Sequence, residues 1–153
     1  MQVSRYICEK CILFDFKAKD KEEVLKRISE WAAQAIDGIS KEEVLGVLGE
    51  REELGSTGIG GGVAIPHAKL PKLEETVVIV AISKEGVPFD AVDGQPVFAF
   101  FVLLAPDNDT VNYLRLLAKV SKLIKQQGFL PKIKKATDQE DVCEIIRHLE
   151  FGP

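Results

Sequence analysis

Two uninterrupted apolar runs, Thr76-Val-Val-Ile-Val-Ala-Ile-Ser83 and Val97-Phe-Ala-Phe-Phe-Val-Leu-Leu104, constrain the fold of this chain more than any other feature. Neither run alternates polar with apolar residues, so neither suits a strand with one wet face. Each is short, bounded by Gly or Pro, and rich in β-branched or aromatic residues, which is the pattern of a central strand buried on both faces. Such a sheet needs helices on both sides, so the chain is predicted to form one α/β layered domain over residues 1–153. The segment between the runs, Gly86-Val-Pro-Phe-Asp-Ala-Val-Asp-Gly-Gln-Pro96, reads as a connecting loop with room for a short edge strand.

The remaining elements follow from capping and periodicity. Ile12–Phe16 is β-prone enough for a short first strand. Asp20 with Glu23 three residues on opens a helix whose apolar face carries Val24, Leu25, Ile28, Ala32, Ala35 and Ile36, and Gly38 ends it. Ser40 with Glu43 repeats the capping pattern and opens a shorter helix, carrying Val44, Leu45 and Leu48, that runs toward Arg51. After Pro106–Asp109 a long helix begins near Thr110, with Tyr113, Leu114, Leu117, Val120 or Ser121, and Ile124 predicted on its inner side and Gly128 at its end. Residues 131–135 read as a basic linker or a short helical turn. Thr137 with Glu140 predicts a third capping box, opening a terminal helix striped by Val142, Ile145, Ile146 and Leu149. His148, near the end of that helix, reads as a solvated structural residue.

The chemistry-bearing residues gather in one stretch, Arg51-Glu-Glu-Leu-Gly-Ser-Thr-Gly-Ile-Gly-Gly-Gly-Val-Ala-Ile-Pro-His67-Ala-Lys-Leu70. Glycines at 55, 58, 60, 61 and 62 allow positive φ and close backbone approach, so their N–H groups can converge on an anion such as phosphate. They equally suit a plain hairpin or crossover turn. Pro66 fixes φ and lacks an N–H, so a strand Val63-Ala64-Ile65 is expected to end there and present His67 at its tip, either as a site residue or as a hydrogen-bonded structural one. Arg51 can fork onto phosphate oxygens or pair with Glu50 or Glu53. The Thr57 hydroxyl can reach a phosphate or bond its own backbone. Enzyme motifs that use such glycines do not fit. A Walker A loop needs Gly-Lys-Ser/Thr where Gly62-Val63-Ala64 stands, a dinucleotide fingerprint would place glycine at Val63, and no G-x-S-x-G surrounds Ser56.

The full string Arg-Glu-x-Leu-Gly-Ser-Thr-Gly-Ile-Gly-x-Gly-Val-Ala-Ile-Pro-His-Ala resembles the active-site segment of enzyme IIA of the phosphoenolpyruvate-dependent sugar phosphotransferase system, mannitol/fructose class, which includes the nitrogen-related regulatory IIA proteins. The order of elements extends the resemblance over almost the whole chain. It implies a mixed sheet of about five strands flanked by helices, a phosphoryl group carried on His67, and assistance from Arg51, with Thr57, Gly58 and Gly60 as candidate phosphate contacts. Imidazole suits the task because it is neutral near cytosolic pH without a separate base, so positioning and charge stabilisation do most of the work. Neither a metal nor a cofactor is required. The implied partners are the histidine-containing phosphocarrier protein as donor, and a IIB cysteine or a regulatory target protein. Family members usually carry a second histidine in the long helix where this chain has Tyr113. A phenol can hydrogen-bond a phosphate oxygen or orient His67 but supplies no imidazolium, so acceptance of phosphate is expected to survive better than transfer to IIB.

Composition narrows the alternatives. With 46% hydrophobic and 29% charged residues, the chain has the make-up of a globular domain large enough for a core without disulfides or metals. A formal charge of −4 argues against a nucleic-acid binder. No apolar run approaches the roughly 18 residues that span a bilayer and the N-terminus lacks a secretory pattern, so a cytoplasmic protein is expected, without direct membrane insertion. Of three cysteines, Cys8 and Cys11 form a C-x-x-C that leads into the first strand and Cys143 stands far away. With His67 and His148 as the two histidines, the set predicts structural thiols and no zinc or redox site.

Overall fold

The structure, a computed structural model, describes residues 2–7 and 9–151. Two 3-10 turns, Val3–Tyr6 and Glu9–Cys11, lead into β1 (Ile12–Leu13), α1 (Lys21–Ala35) and α2 (Lys41–Glu53). Then come β2 (Gly58–Gly60), β3 (Val63–Ala64), β4 (His67–Lys69), β5 (Val77–Val87) and β6 (Val97–Ala105), followed by α3 (Thr110–Ile124), α4 (Phe129–Lys134) and α5 (Gln139–Phe151). The sheet runs β1-β5-β6-β3-β2, and β4 also pairs with β6. β3 and β4 lie in tandem along one edge of β6, so the sheet is five strands wide. It is mixed: β1 runs parallel to β5, β3 and β4 run parallel to β6, and the β5–β6 and β2–β3 pairs are antiparallel.

The two apolar runs form β5 and β6, and their alternating side chains feed two cores. Val78, Val80, Ile82, Phe101 and Leu103 pack with Leu116, Val120, Phe129, Ile133, Val142 and Ile146 of α3, α4 and α5. Ile79, Ala81, Phe100, Val102 and Leu104 pack with Val24, Ile28, Ala32, Val44 and Leu48 of α1 and α2. Helices therefore cover both faces, as the doubly apolar strands required. Asp20 caps α1 by accepting from the Glu23 N–H at 3.0 Å, and Ser40 with Glu43 forms the predicted capping box on α2.

Several local expectations change. β1 covers two residues instead of five, because Asp15 adopts φ 53° and turns the chain before Phe16 donates its N–H to the Ile82 carbonyl. On α3 the buried set is Tyr113, Leu116, Val120, Leu123 and Ile124, whereas Leu114 is exposed. The inward stripe thus follows 113, 116, 120 and 123/124, the 3-4-3 spacing of a helix lying along a sheet. α3 ends at Ile124, and Gly128, at φ 80°, starts α4. α5 starts two residues after Thr137, and the carboxylate that accepts from the Asp141 N–H belongs to Asp138. The predicted Thr137/Glu140 box is therefore shifted by one residue, with Asp141 reaching back to the Thr137 N–H. In the 86–96 segment the strand character belongs to an extension of β5, which pairs Val87 with Val97 across a register shift. Cys11 is buried and Cys143 half-buried, and Cys8 lies outside the described residues.

Gly58 has a packing role. A Cβ there would sit 2.9 Å from Ala91 Cα, where the Gly58 carbonyl accepts the Val92 N–H at 3.0 Å. The obstacle is backbone, which cannot swing aside. Gly58→Ala is expected to destabilise the protein by about 1–3 kcal/mol, as overpacking does, read as a lower urea midpoint with an unchanged slope.

Candidate functional site

The site forms where the edge of the sheet is interrupted. β3 follows β6 in parallel register as far as Ala64, opposite Phe100. By strand alternation the Ile65 N–H lies on the side away from β6, where it donates to the Thr57 carbonyl at 3.0 Å. Pro66 has no N–H, yet its carbonyl accepts the Leu103 N–H at 3.0 Å, so the chain stays alongside β6 and resumes pairing as β4. His67 is consequently the first residue of a renewed strand, opposite Leu103, and not the tip of a finished one. Val63 and Ile65 face the core under α3, and two residues on, by strand alternation, His67 points the same way. Its ring centroid lies 6.1 Å from that of Tyr113.

The imidazole is half-buried, and its Nδ1 lies 2.7 Å from the Ile65 carbonyl oxygen. A carbonyl can only accept, so Nδ1 carries the proton and Nε2 keeps its lone pair. Burial pushes the imidazole below its ordinary value of 6.5 and the Arg51 charge lowers it further, while the Ile65 carbonyl and the Glu52 charge pull the other way. The net effect is a ring that is neutral at neutral pH, the nucleophilic form.

Arg51 ends α2. One of its N–H groups donates to the Gly55 carbonyl at 2.9 Å, so the side chain folds over the negative end of its own helix. Among the described residues it forms no ion pair with Glu50 or Glu53. One N–H used leaves four of the guanidinium's five donors for an incoming anion. Its charge bears on both His67 and Tyr113, which brings the three predicted residues into one electrostatic neighbourhood. Tyr113 is buried, and burial pushes its phenol up to about 12 against a smaller downward pull from Arg51, so it keeps its proton across the working range.

The other candidates lie differently. Thr57 is only 3% exposed, and both its hydroxyl and its N–H are taken by the Glu52 carboxylate. The Gly58 N–H donates to Ser56 Oγ at 3.0 Å. Gly60 begins the turn at the far end of the β2–β3 hairpin, where the Gly61 N–H donates to the Asp93 carboxylate. Four residues lie between Gly62 and His67, which puts them roughly 16 Å apart along extended chain. Gly61 of the turn is thus committed to a carboxylate and Gly62 lies remote from the imidazole, so the turn is not brought together with that ring. The residues that sequence reasoning missed are Glu52 and the Ile65 main chain. Glu52 stands beside Arg51 with a hydroxyl five residues on, but its partners are set by how the 54–57 turn folds back.

A mixed open sheet covered by helices on both faces is a mannitol-type IIA fold. The crystal structure of IIA mannitol from Escherichia coli has the same fold, with a TM-score of 0.76 at 20% identity, covering 92% of this chain and 98% of that one. That protein's complex with phosphorylated enzyme IIB matches with the same TM-score. Over residues 5–149 the chain matches, and belongs to, the family described as phosphoenolpyruvate-dependent sugar phosphotransferase system, EIIA 2. It is 34% identical over 146 residues to a nitrogen regulatory protein of Bradyrhizobium diazoefficiens, covering 95% of each chain. The nitrogen regulatory protein IIA-Ntr from Neisseria meningitidis matches with a TM-score of 0.87 at 29% identity, covering 94% and 98%. Among the described residues no helix is long and apolar enough to cross a membrane.

In an NMR titration the His67 midpoint is expected below 6.5, with the Nδ1-protonated tautomer dominant above it. Arg51→Gln should move that midpoint upward by removing one of the two causes that depress it.

Proposed function

We propose that this chain is a single cytoplasmic IIA phosphocarrier domain in which His67 Nε2 accepts a phosphoryl group from the phosphohistidine of a histidine-containing phosphocarrier protein. The observation that carries this reading is the tethering of Nδ1 to the Ile65 carbonyl, which leaves one outward nucleophilic nitrogen on a neutral ring. In the transfer, the P–N bond to the donor ring breaks as a P–Nε2 bond forms, and the donor ring leaves as neutral imidazole, keeping the proton on its other nitrogen. His67 keeps its Nδ1 proton and becomes a phosphorylated imidazolium, so its bond to the Ile65 carbonyl turns into a charge-assisted one. Arg51 offers donors to the equatorial oxygens, where charge is spread in the transition state. Tyr113 offers a neutral phenol, 8% exposed, against the ring. Leu54, which follows the Arg51 turn, and Val111 and Leu114, which flank Tyr113, are exposed at 84%, 66% and 58% and suit contact with a protein carrying the donor group.

The phosphorylated domain then either passes the group to a IIB cysteine or acts as a regulator whose grip on a target protein depends on its phosphorylation state. Tyr113 favours the regulatory branch, since it stands where family members usually carry a second histidine and, staying neutral, supplies no imidazolium for transfer to IIB. The names of the relatives, nitrogen regulatory proteins, point the same way.

Incubation with phosphoenolpyruvate, enzyme I and the phosphocarrier is expected to give an acid-labile, base-stable adduct on the wild type and none on His67→Ala; a wild type that stays unlabelled with competent components refutes the reading. The initial rate should fall as pH drops through the lowered His67 value, because protonation of Nε2 removes the lone pair. Arg51→Gln should slow labelling by roughly a hundredfold, the loss of one charge-stabilising donor group. Tyr113→His should raise the rate of transfer to a IIB cysteine while leaving acceptance from the donor within a few-fold, checked by chasing the labelled protein with purified IIB.

A further inference from the structure

Glu52 occupies a position that is costly for a carboxylate. It lies in the last turn of α2, 8% exposed, where the helix dipole disfavours a carboxylate and burial penalises its charge. An apolar residue would fill that position at less expense, so holding α2 against its neighbours is a weak reason for a carboxylate here. Its hydrogen bonds lead to the imidazole. Lys21 Nζ donates to Glu52 Oε1 at 2.8 Å, while lying 4.8 Å from the centre of the Phe89 ring and 3.8 Å from Asp90. The Glu52 carboxylate accepts the Thr57 N–H at 3.1 Å and also the Thr57 hydroxyl. The Thr57 carbonyl accepts the Ile65 N–H at 3.0 Å, and the Ile65 carbonyl accepts the His67 Nδ1 proton at 2.7 Å.

We propose that Glu52 is a positioning residue for His67: through Thr57 and the main chain of Ile65 it holds the ring in the Nδ1–H tautomer with Nε2 turned outward, and Lys21 holds Glu52 in place. The need arises at Pro66. The edge lane loses a donor there and the Ile65 N–H faces away from β6, so the residue whose carbonyl orients the imidazole is anchored from the Thr57 side through its N–H. The arrangement resembles a carboxylate that orients a catalytic histidine directly, with two main-chain segments inserted between the charge and the ring. The chemistry fits the same direction. When Nε2 gains a phosphoryl group the ring turns cationic, and a hydrogen-bond chain ending on a carboxylate stabilises that cation while Arg51 takes the oxyanions. Glu52 and Arg51, adjacent in sequence, act on opposite halves of the phosphorylated side chain.

This inference rests on His67 being the phosphorylated residue, and the test separates the two. In Glu52→Gln, 15N spectra of the His67 ring are expected to change from a dominant Nδ1–H tautomer to a mixture. The labelling rate at saturating phosphocarrier is expected to fall roughly ten- to a hundredfold, with the half-saturating phosphocarrier concentration unchanged. Lys21→Met should move both readouts the same way to a smaller extent. A folded Glu52→Gln protein whose tautomer and saturated rate stay within twofold of wild type overturns the proposal. Should circular dichroism find that variant unfolded, Thr57→Val, which removes only the hydroxyl donor, takes its place. The same shifts are then expected at about a threefold rate effect, and unchanged readouts overturn the proposal. Wild type that takes no phosphoryl group refutes the phosphocarrier reading instead, while the tautomer measurement, which needs no transfer, still decides the role of Glu52.

Discussion

Strand β6 is hydrogen-bonded along both edges and buried on both faces, and the rest of the molecule takes its position from it. On one edge it carries β5, and on the other it carries β3 and β4 in tandem. Its odd-numbered side chains from Ala99 to Leu103 enter the core beneath α3, α4 and α5, and Phe100, Val102 and Leu104 enter the core beneath α1 and α2. A strand that supports two cores and two ladders is held rigidly, because any shift would break all four contacts at once. That rigidity is what a reactive group needs from its scaffold, since placement within a fraction of an ångström separates a productive from an unproductive geometry.

The candidate reactive group, His67, sits where that regularity is broken. Pro66 removes one N–H from the edge lane, and Ile65 gives its own N–H to Thr57. The Ile65 carbonyl meets the imidazole. Both Ile65 groups face away from β6, and on that side the Thr57 N–H is taken by Glu52, so the Ile65 carbonyl is left for the ring. At this interruption one main-chain carbonyl, that of Ile65, is left to bind a side chain, while the lane as a whole stays attached through the Pro66 carbonyl. α2 delivers Arg51 and Glu52 from one layer and α3 delivers Tyr113 from the other, so the site draws on both helical layers across the sheet edge.

Much of this was readable from residue order. The two apolar runs required a sheet covered on both sides, and the capping residues Asp20 and Ser40 placed the starts of α1 and α2 to the residue. The string from Arg51 to Ala68 marked the site, and Tyr113 was picked out in the helix that packs against it. Errors arose where local pattern underdetermines geometry. Leu114 fits a helical stripe as well as Leu116 does, and only the surface α3 rests on selects between them. Thr137 and Asp138 are both good caps, and the helix start was decided by which carboxylate could reach which N–H. The cluster of glycines suggested an anion nest because such residues permit one, but Asp93 takes the Gly61 N–H, and Gly58 is required by the close backbone of Ala91.

The chain's own residues therefore settled its layering and the order of its helices and marked His67 and Arg51 as candidates, since burial pattern and capping are local properties of a string. Which nitrogen of His67 carries the proton, what Thr57 and the glycines touch, and how Glu52 connects to the ring were settled by folding. Each of those depends on groups far apart in the chain or on main-chain atoms, and a list of side chains carries no record of where a carbonyl will point.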